Sequence, residues 1–349
     1  MTRAQVVGET ISNQGLGRQP SPDKFFETMV AYQRTAALKA AIDLDLFTSI
    51  GEGKTTASAL AKRVEGTDRA VRMLCDSLVV LGFLMKDGSS YGLTADSAVF
   101  MDKRSPAYVG SARKFLASPF VVDGFRDLAA VVRAGRPVSA EPFSEEDKHA
   151  AWAEFARNMA GLSYLVAQET ARLLDPDAEI KVLDVAAGHG MFGIAIAQQN
   201  PGATIVALDW PSVLAVAEEN ARRFGVSQRY RLLPGDALEA DLGAGFNAVV
   251  MPNVMHLWDR PTNIRFLKKV HAALAPNGRV IIVEFVPNDD RVSPAVPALF
   301  VLNMLANTTA GDVYTVSEHR AMLSEAGFPD CQFQPLPPTV HTAVIAIRP

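Results

Sequence analysis

The chain predicts an α/β fold: a mostly parallel, seven-stranded sheet that ends in an antiparallel hairpin, preceded by a mainly α segment of winged-helix pattern. Three observations predict it. From Ile180 onward, apolar strand patterns near 180–186, 204–208, 229–233, 246–251 and 279–285 alternate with helical patterns near 190–200, 211–225, 260–275 and 315–326, which buries a parallel sheet on both faces. The last two strand patterns, Cys331 to Leu336 and Thr342 to Ile347, are joined by too few residues for a parallel crossover and must pair antiparallel. Before residue 100 the apolar residues fall at helical spacing until a short hairpin closes the run.

Taken in order, residues 1–20 are polar and glycine-containing and read as a disordered tail without the apolar run of a signal peptide. Residues 21–104 form the expected winged-helix domain. Pro22 to Ile50 carries Phe25, Phe26, Met29, Val30, Leu38, Ala41, Ile42, Leu46 and Phe47 at helical spacing and predicts two helices. Thr56 caps a short helix to Val64, and Thr67 caps a longer one over Asp68 to Leu81, whose inner face is Val71, Leu74, Leu78 and Leu81. Gly82 ends it; Phe83 to Met85 and Tyr91 to Leu93 then flank the Asp87-Gly88 turn of a hairpin. Residues 105–175 read as a helical connector rich in large apolar side chains, broken between Pro137 and Pro142. The sheet domain is expected over 176–349.

Composition sets limits on function. With 349 residues, 48% hydrophobic and 21% charged, the chain has the make-up of a globular protein of about two domains. A formal charge of −4 gives no general attraction for nucleic acid. Two cysteines, Cys75 and Cys331, provide neither a disulfide framework nor a multi-cysteine metal site. The most apolar stretch, Ala295 to Ala306, is interrupted by Pro297 and Asn303 and falls short of the roughly 18 residues a membrane span needs. No membrane partner and a cytoplasmic location are the expectation.

The chemistry concentrates at strand tips. Ile180-Lys-Val-Leu-Asp184-Val-Ala-Ala-Gly188-His-Gly190 is a buried strand running into a glycine turn, and the next strand ends at Asp209. Glycines let main-chain N–H groups approach a ligand at the positive end of the following helix, and an acid at the second tip can accept hydrogen bonds from ribose hydroxyls. Gly188-His-Gly190-Met-Phe-Gly193 also spells the dinucleotide fingerprint. Two features favour a different nucleoside: Asp184 would repel a pyrophosphate but suits an ammonium group, and the terminal hairpin is foreign to the usual dinucleotide half-sheet. At the third tip, Gly235-Asp236-Ala237 offers a carboxylate to an adenine amine. The fourth strand runs into Pro252-Asn253-Val-Met-His256-Leu-Trp258-Asp259, placing an imidazole at the carboxyl rim as a candidate general base. The fifth ends at Glu284, a buried acid that a nearby imidazole would satisfy.

These segments, with Asn277 to Glu284 and Ser324-Glu-Ala-Gly-Phe328, make the chain resemble the S-adenosylmethionine-dependent small-molecule O-methyltransferases of the caffeate, hydroxyindole and bacterial polyketide-tailoring type, over nearly all of residues 22–349. The resemblance implies a Rossmann-like methyltransferase sheet, S-adenosylmethionine as methyl donor with S-adenosylhomocysteine as product, no metal, and an N-terminal domain that pairs two subunits as a homodimer. It implies cofactor contacts from Asp184, Gly188, Gly190, Asp209, Trp210, Gly235, Asp236, Ala237 and Asn253, with Phe155 and Met159 closing over the cofactor. His256 takes the place of the catalytic base and Glu284 that of one of two flanking acids. Asn303 and Met304 resemble the acceptor-pocket helix. Phe115, Trp152 and Phe300 are further apolar candidates for a pocket taking a flat hydroxylated aromatic.

The chain departs from the family where a second glutamate is expected: Val313 stands there, with Asp312 adjacent as a substitute catalytic acid. Other readings stay open at this point. The same scaffold methylates nitrogen or carbon in some members and has lost methyl transfer in others; the glycine pattern alone would also admit an NAD-dependent oxidoreductase, and the winged helix a DNA-binding regulator.

Overall fold

The computed structural model describes residues 19–138 and 145–349, without the side chains of 145–148. Most of the expected 1–20 tail, and most of the break between Pro137 and Pro142, lie outside the described residues. The chain divides into two compact units, one ending at Ala98 and one beginning at Val99.

The first unit holds α1 (Asp23–Met29), α2 (Ala31–Asp43), α3 (Leu46–Gly51), α4 (Ala57–Arg63) and α5 (Asp68–Val80), then the antiparallel pair β1 (Leu84–Asp87) and β2 (Ser90–Leu93). Three helices therefore stand where the apolar spacing predicted two. The breaks fall at Val30 and at Asp45, which takes a left-handed φ of 56°; neither is a residue that announces a turn in a periodic pattern. The two threonine caps form as expected, with Thr56 Oγ1 accepting from the Ala59 N–H and Thr67 Oγ1 from that of Ala70, each contributing about 1 kcal/mol. α5 buries Val71, Cys75 and Leu78. Its Asp76 takes Arg72 at 2.9 Å and Lys86 of β1 at 2.5 Å, so one cation of the helix and one of the hairpin are already paired. α1 buries nothing: its Phe25, Phe26 and Met29, with Tyr32 at the start of α2, are about 60% or more exposed.

The chain passes to the second unit through α6 (Ala95–Phe100). The connector is less helical than its composition suggested: α7 (Arg113–Leu116) and α8 (Pro119–Val122) are single turns and α9 (Leu128–Ala134) is short, before the 27-residue α10 (Glu145–Ala171). The sheet then forms from β3 (Ile180–Val185), β4 (Ala203–Asp209), β5 (Tyr230–Pro234), β6 (Phe246–Pro252), β7 (Leu274–Glu284), β8 (Cys331–Pro335) and β9 (Thr342–Ile347). Between them run α11 (Met191–Gln199), α12 (Pro211–Arg223), α13 (Arg260–Ala273), α14 (Ala295–Asn307) and α15 (Val316–Glu325).

The strand order is β5-β4-β3-β6-β7-β9-β8, parallel up to β7 and antiparallel for the final two. The predicted fold class holds, with β7 beginning earlier than expected, at Leu274. Each strand sends successive side chains to opposite cores. Val182, Val250 and Ile281 pack with α10, α11 and α12, whereas Leu183, Val249 and Ile282 pack with α13 and α15. Each such side chain contributes roughly 1.5–3 kcal/mol on burial. The order reverses at β3, which lies between β4 and β6, and that reversal opens a crevice at the carboxyl ends where open α/β sheets take their ligands. Among the described residues no helix is long and apolar enough to cross a membrane.

Candidate active site

The first wall of the crevice is the turn after β3. Ala186, Gly188 and Gly190 have φ of 50°, 58° and 76°, and a side chain at Gly190 would stand 2.7 Å from the Tyr230 hydroxyl. The backbone can bend this sharply only where glycine occupies the tightest point. The Gly188 N–H donates to Asp209 Oδ2 at 2.8 Å and the Trp210 N–H to Oδ1 at 2.7 Å. Burial pushes the Asp209 carboxyl up to about 6 against those two hydrogen bonds and the neighbouring His149.

Asp184 has a buried carboxylate oxygen, Oδ1, without a partner among the described residues. It is fully buried beneath the turn, outside the cleft wall, with Oδ2 accepting from the Gly193 N–H at 3.0 Å. Its carboxyl is pushed up to about 8, first by burial. Through its bond to Gly193, Asp184 ties β3 to the first turn of α11.

Nine of the expected residues line one cleft. Gly188, Asp209 and Trp210 face it from the β3 and β4 tips; Gly235, Asp236 and Ala237 from the β5 tip; Asn253 from the β6 tip; Trp152 and Phe155 from α10. Asp236 is exposed, and its Oδ1 accepts from the Leu238 N–H at 2.8 Å, which leaves Oδ2 for a ligand amine. Asn253 has a left-handed φ of 52°, and its buried Oδ1 has no partner among the described residues. Such an orphaned acceptor fits a cleft made for a polar ligand. Gly190 supports the turn from behind, and Met159 is half-buried on α10 outside the wall. Leu208, Val213, Leu238 and Leu257 supply apolar surface that the sequence reading passed over. Their strand-tip and helix-start positions could have marked them.

Beyond this cleft, a single turn over Met255–Leu257 carries His256. Its Nδ1–H donates to Glu284 Oε2 at 2.8 Å and its backbone N–H to Oε1 at 3.3 Å. Both side chains are nearly inaccessible. Burial, the largest influence, pushes the Glu284 carboxyl up, but the charge and hydrogen bonds of His256, with His319 behind it, outweigh that and hold it below the ordinary glutamate value. A carboxylate can only accept, so Nδ1 carries a proton toward Glu284, and in the uncharged ring the lone pair lies on Nε2. Phe300 on α14 meets the imidazole edge-on at 5.2 Å. Met304 is buried, and the Asn303 side-chain carbonyl accepts from Asn307. Phe115 packs against Phe155 at 4.6 Å, and Phe155 against Trp152 at 5.3 Å.

Asp312 has a partly exposed side chain with partners of its own. It is 42% exposed, its Oδ1 accepts from the Val313 N–H, and the nearest cation is Arg291 at 4.0 Å. Val313 is buried at the position expected of the second acid. One residue earlier, a Cβ on Gly311 would come within 2.3 Å of the His256 carbonyl, so the backbone before Asp312 passes close to the turn that carries His256. Replacing Asp312 with alanine should therefore leave kcat within about twofold, by the usual size of surface substitutions; a tenfold loss in steady-state turnover would return the aspartate to the site.

An O-methyltransferase domain model matches residues 125–329 and an O-methyltransferase dimerisation domain model matches residues 26–103. The chain belongs to the O-methyltransferase family. The 3-hydroxy-5-methyl-1-naphthoate 3-O-methyltransferase of Streptomyces sahachiroi is 28% identical over 300 residues, covering 84% of this chain and 86% of that relative. A crystal structure of a candidate O-methyltransferase from Nostoc punctiforme is 44% identical, with a TM-score of 0.88 over 95% of this chain and all of that one. The human N-acetylserotonin methyltransferase, solved in complex with its methyl donor SAM, shares the fold at 21% identity with a TM-score of 0.83 over 96% and 99% of the two chains. The first unit thus carries the family's dimerisation domain, and the exposed aromatic face of α1 is apolar surface suited to a second copy.

Proposed function

We propose that this O-methyltransferase transfers a methyl group from S-adenosylmethionine to a hydroxyl of a small aromatic acceptor of secondary-metabolite type, with His256 as general base, and works as a homodimer. The observation that carries the reading is the His256–Glu284 pair, 2.8 Å apart at the rim next to a cleft with nucleoside-binding features.

The donor supplies an electrophilic methyl on a sulfonium sulfur, a reaction that needs orientation above all. Asp209 would take the ribose hydroxyls, Asp236 the adenine amine, and Trp210 the face of the base. Holding the reactants at attack distance is worth roughly 7–11 kcal/mol in well-oriented systems. On the acceptor side, His256 Nε2 takes the hydroxyl proton as the new O–CH3 bond forms and the electron pair of the old S–CH3 bond returns to sulfur. Glu284 balances the imidazolium so formed. The aromatic side chains Trp152, Phe155 and Phe300 suit a flat ring.

The test is incubation with labelled S-adenosylmethionine and a panel of phenols, followed by mass spectrometry of the products. O-methyl ethers support the reading. Methyl transfer only to nitrogen or carbon, or no retention of S-adenosylhomocysteine, overturns it.

Asp209 gives this reading a pH signature. Its carboxyl titrates at about 6 in the free protein, and ribose hydroxyls donate to its ionised form, so the bound value lies lower. Affinity is then complete above about 6 and falls as the pH drops through it, by at most tenfold per unit, because protonation competes with the ligand. Calorimetric titration of S-adenosylhomocysteine between pH 7.5 and 5 should follow that decline, and a flat profile would remove Asp209 from the contact.

A further inference from the structure

The His256–Glu284 pair leaves a second imidazole at the same rim unexplained. His341 immediately precedes β9, and its neighbour Thr342 pairs with Glu284 across the β7–β9 ladder. The backbone holds it at two points: its N–H donates to Thr339 Oγ1 at 3.3 Å and its carbonyl accepts from the Leu336 N–H at 3.0 Å. Its ring lies 4.5 Å from Phe285, Phe285 stacks on Phe300 at 4.2 Å, and Phe300 meets His256 at 5.2 Å. Two imidazoles thus bracket a wall of two phenyl rings.

Both ring nitrogens of His341 are buried, and neither has a hydrogen-bond partner among the described residues. Leaving buried polar atoms unpaired costs about 1–3 kcal/mol apiece, so a fold keeps such a group when something else completes it. A metal does not fit, since no group of three or more His, Cys, Asp or Glu among the described residues could hold one. Burial, chiefly, holds the imidazole down at about 4, with Glu284 pulling it up and His256 pushing it further down. At neutral pH the ring is therefore uncharged, with one donor and one acceptor nitrogen. The partner it suits is a neutral oxygen, since a carboxylate would lie near the Glu284 charge.

We propose that His341 binds a second hydroxyl or carbonyl oxygen of the acceptor, so that the enzyme selects aromatic acceptors bearing an oxygen substituent besides the one methylated. The inference rests on the methyl-transfer reading above. A ring lying along Phe300 and Phe285 presents the reacting hydroxyl to His256 and its other oxygen to His341. The phenyl wall gives affinity for any flat ring, and His341 supplies the discrimination. A site built to hydrogen-bond a substrate oxygen rejects the analogue lacking it because its own polar atoms then stay unpaired.

The probes are 2-naphthol and its 2,3-, 2,6- and 2,7-dihydroxy analogues, titrated by calorimetry into the full-length protein loaded with S-adenosylhomocysteine, and assayed in parallel for methyl transfer from S-adenosylmethionine. The parent protein should favour at least one diol over 2-naphthol by roughly tenfold, the usual worth of one hydrogen bond. In His341→Phe that ratio should collapse to near one, and in His341→Gln, which retains a donor and an acceptor, it should largely survive. The ratio between two ligands on one variant is insensitive to any general loss of folded protein, and His341→Gln decides the matter should the phenylalanine variant not fold. Equal binding of mono- and dihydroxy probes by the parent, binding of none of them, or a preference that persists in His341→Phe or is lost in His341→Gln would overturn the assignment. Failure of the parent to bind S-adenosylhomocysteine is a separate result and overturns the methyl-transfer reading instead.

Discussion

Replacing His256 with alanine should lower kcat for a simple phenol by roughly a hundred- to ten-thousand-fold, the range a positioned general base supplies, while S-adenosylhomocysteine binds nearly as before. The separation follows from where the residue stands. His256 lies outside the wall formed by Gly188, Asp209, Trp210 and Asp236, with its ring toward Phe300 and Glu284. A phenol of pKa near 10 is almost wholly protonated at neutral pH, so without the imidazole it attacks through its small ionised fraction. That account carries a sharper test: an acceptor whose hydroxyl ionises near 7 needs little help and should lose far less. Rates for an ordinary phenol and an acidic nitrophenol, measured on parent and variant with the calorimetric affinity for S-adenosylhomocysteine, give all three quantities. If both acceptors lose the same factor, or the variant turns over the ordinary phenol within threefold of the parent, His256 is not the base.

The sheet and its cleft were legible in the sequence because both are written in local signals. The apolar strand patterns near 180–186 and 279–285 predicted a sheet buried on both faces, and Val182 and Ile281 lie in one core with Leu183 and Ile282 in the other. An acid or glycine at a strand tip is placed by the topology alone, which is why Gly188, Asp209, Asp236 and Asn253 converge on one cleft. What escaped depends on packing that no window of sequence contains. That Asp184 also ties β3 to α11, through the Gly193 N–H, is visible only in the fold. Asp312 reads as a substitute acid, and only the fold shows its partly exposed carboxylate accepting from the Val313 N–H with Arg291 at 4.0 Å. His319 and His341 surround Glu284 from α15 and the terminal hairpin, tens of residues away, and each alone is an ordinary histidine. The third N-terminal helix was missed because Val30 and Asp45 break a continuous apolar spacing without glycine or proline.

Glu284→Gln, the smallest change available at the pair, should cost nearly as much activity as removing the imidazole. Both carboxylate oxygens face donors: Oε1 accepts from the His256 backbone N–H, and Oε2 accepts from His256 Nδ1–H and the Phe285 N–H. An amide presents one oxygen and one NH2, so either orientation sets a donor against a donor. With NH2 toward Nδ1, the imidazole must give up its Nδ1 proton and carry it on Nε2, where it can no longer take one from the acceptor; with NH2 toward the backbone, a buried N–H is stranded at about 1–3 kcal/mol. The expected result is a loss of kcat of at least a hundredfold, the low end of what a positioned base contributes, with little change in S-adenosylhomocysteine affinity. Acid stability supplies an independent readout. The Glu284 carboxyl is held below its ordinary value of 4.5, so the stability it contributes is complete above that value and is lost as the pH falls through the lower folded one. Glutamine cannot titrate, and denaturant melts of the variant should lack this part of the acid slope. Because the glutamate acts through the imidazole, adding Glu284→Gln to His256→Ala should lower kcat by less than about threefold further. Multiplicative losses in the double variant would mean that Glu284 serves the acceptor directly rather than through His256.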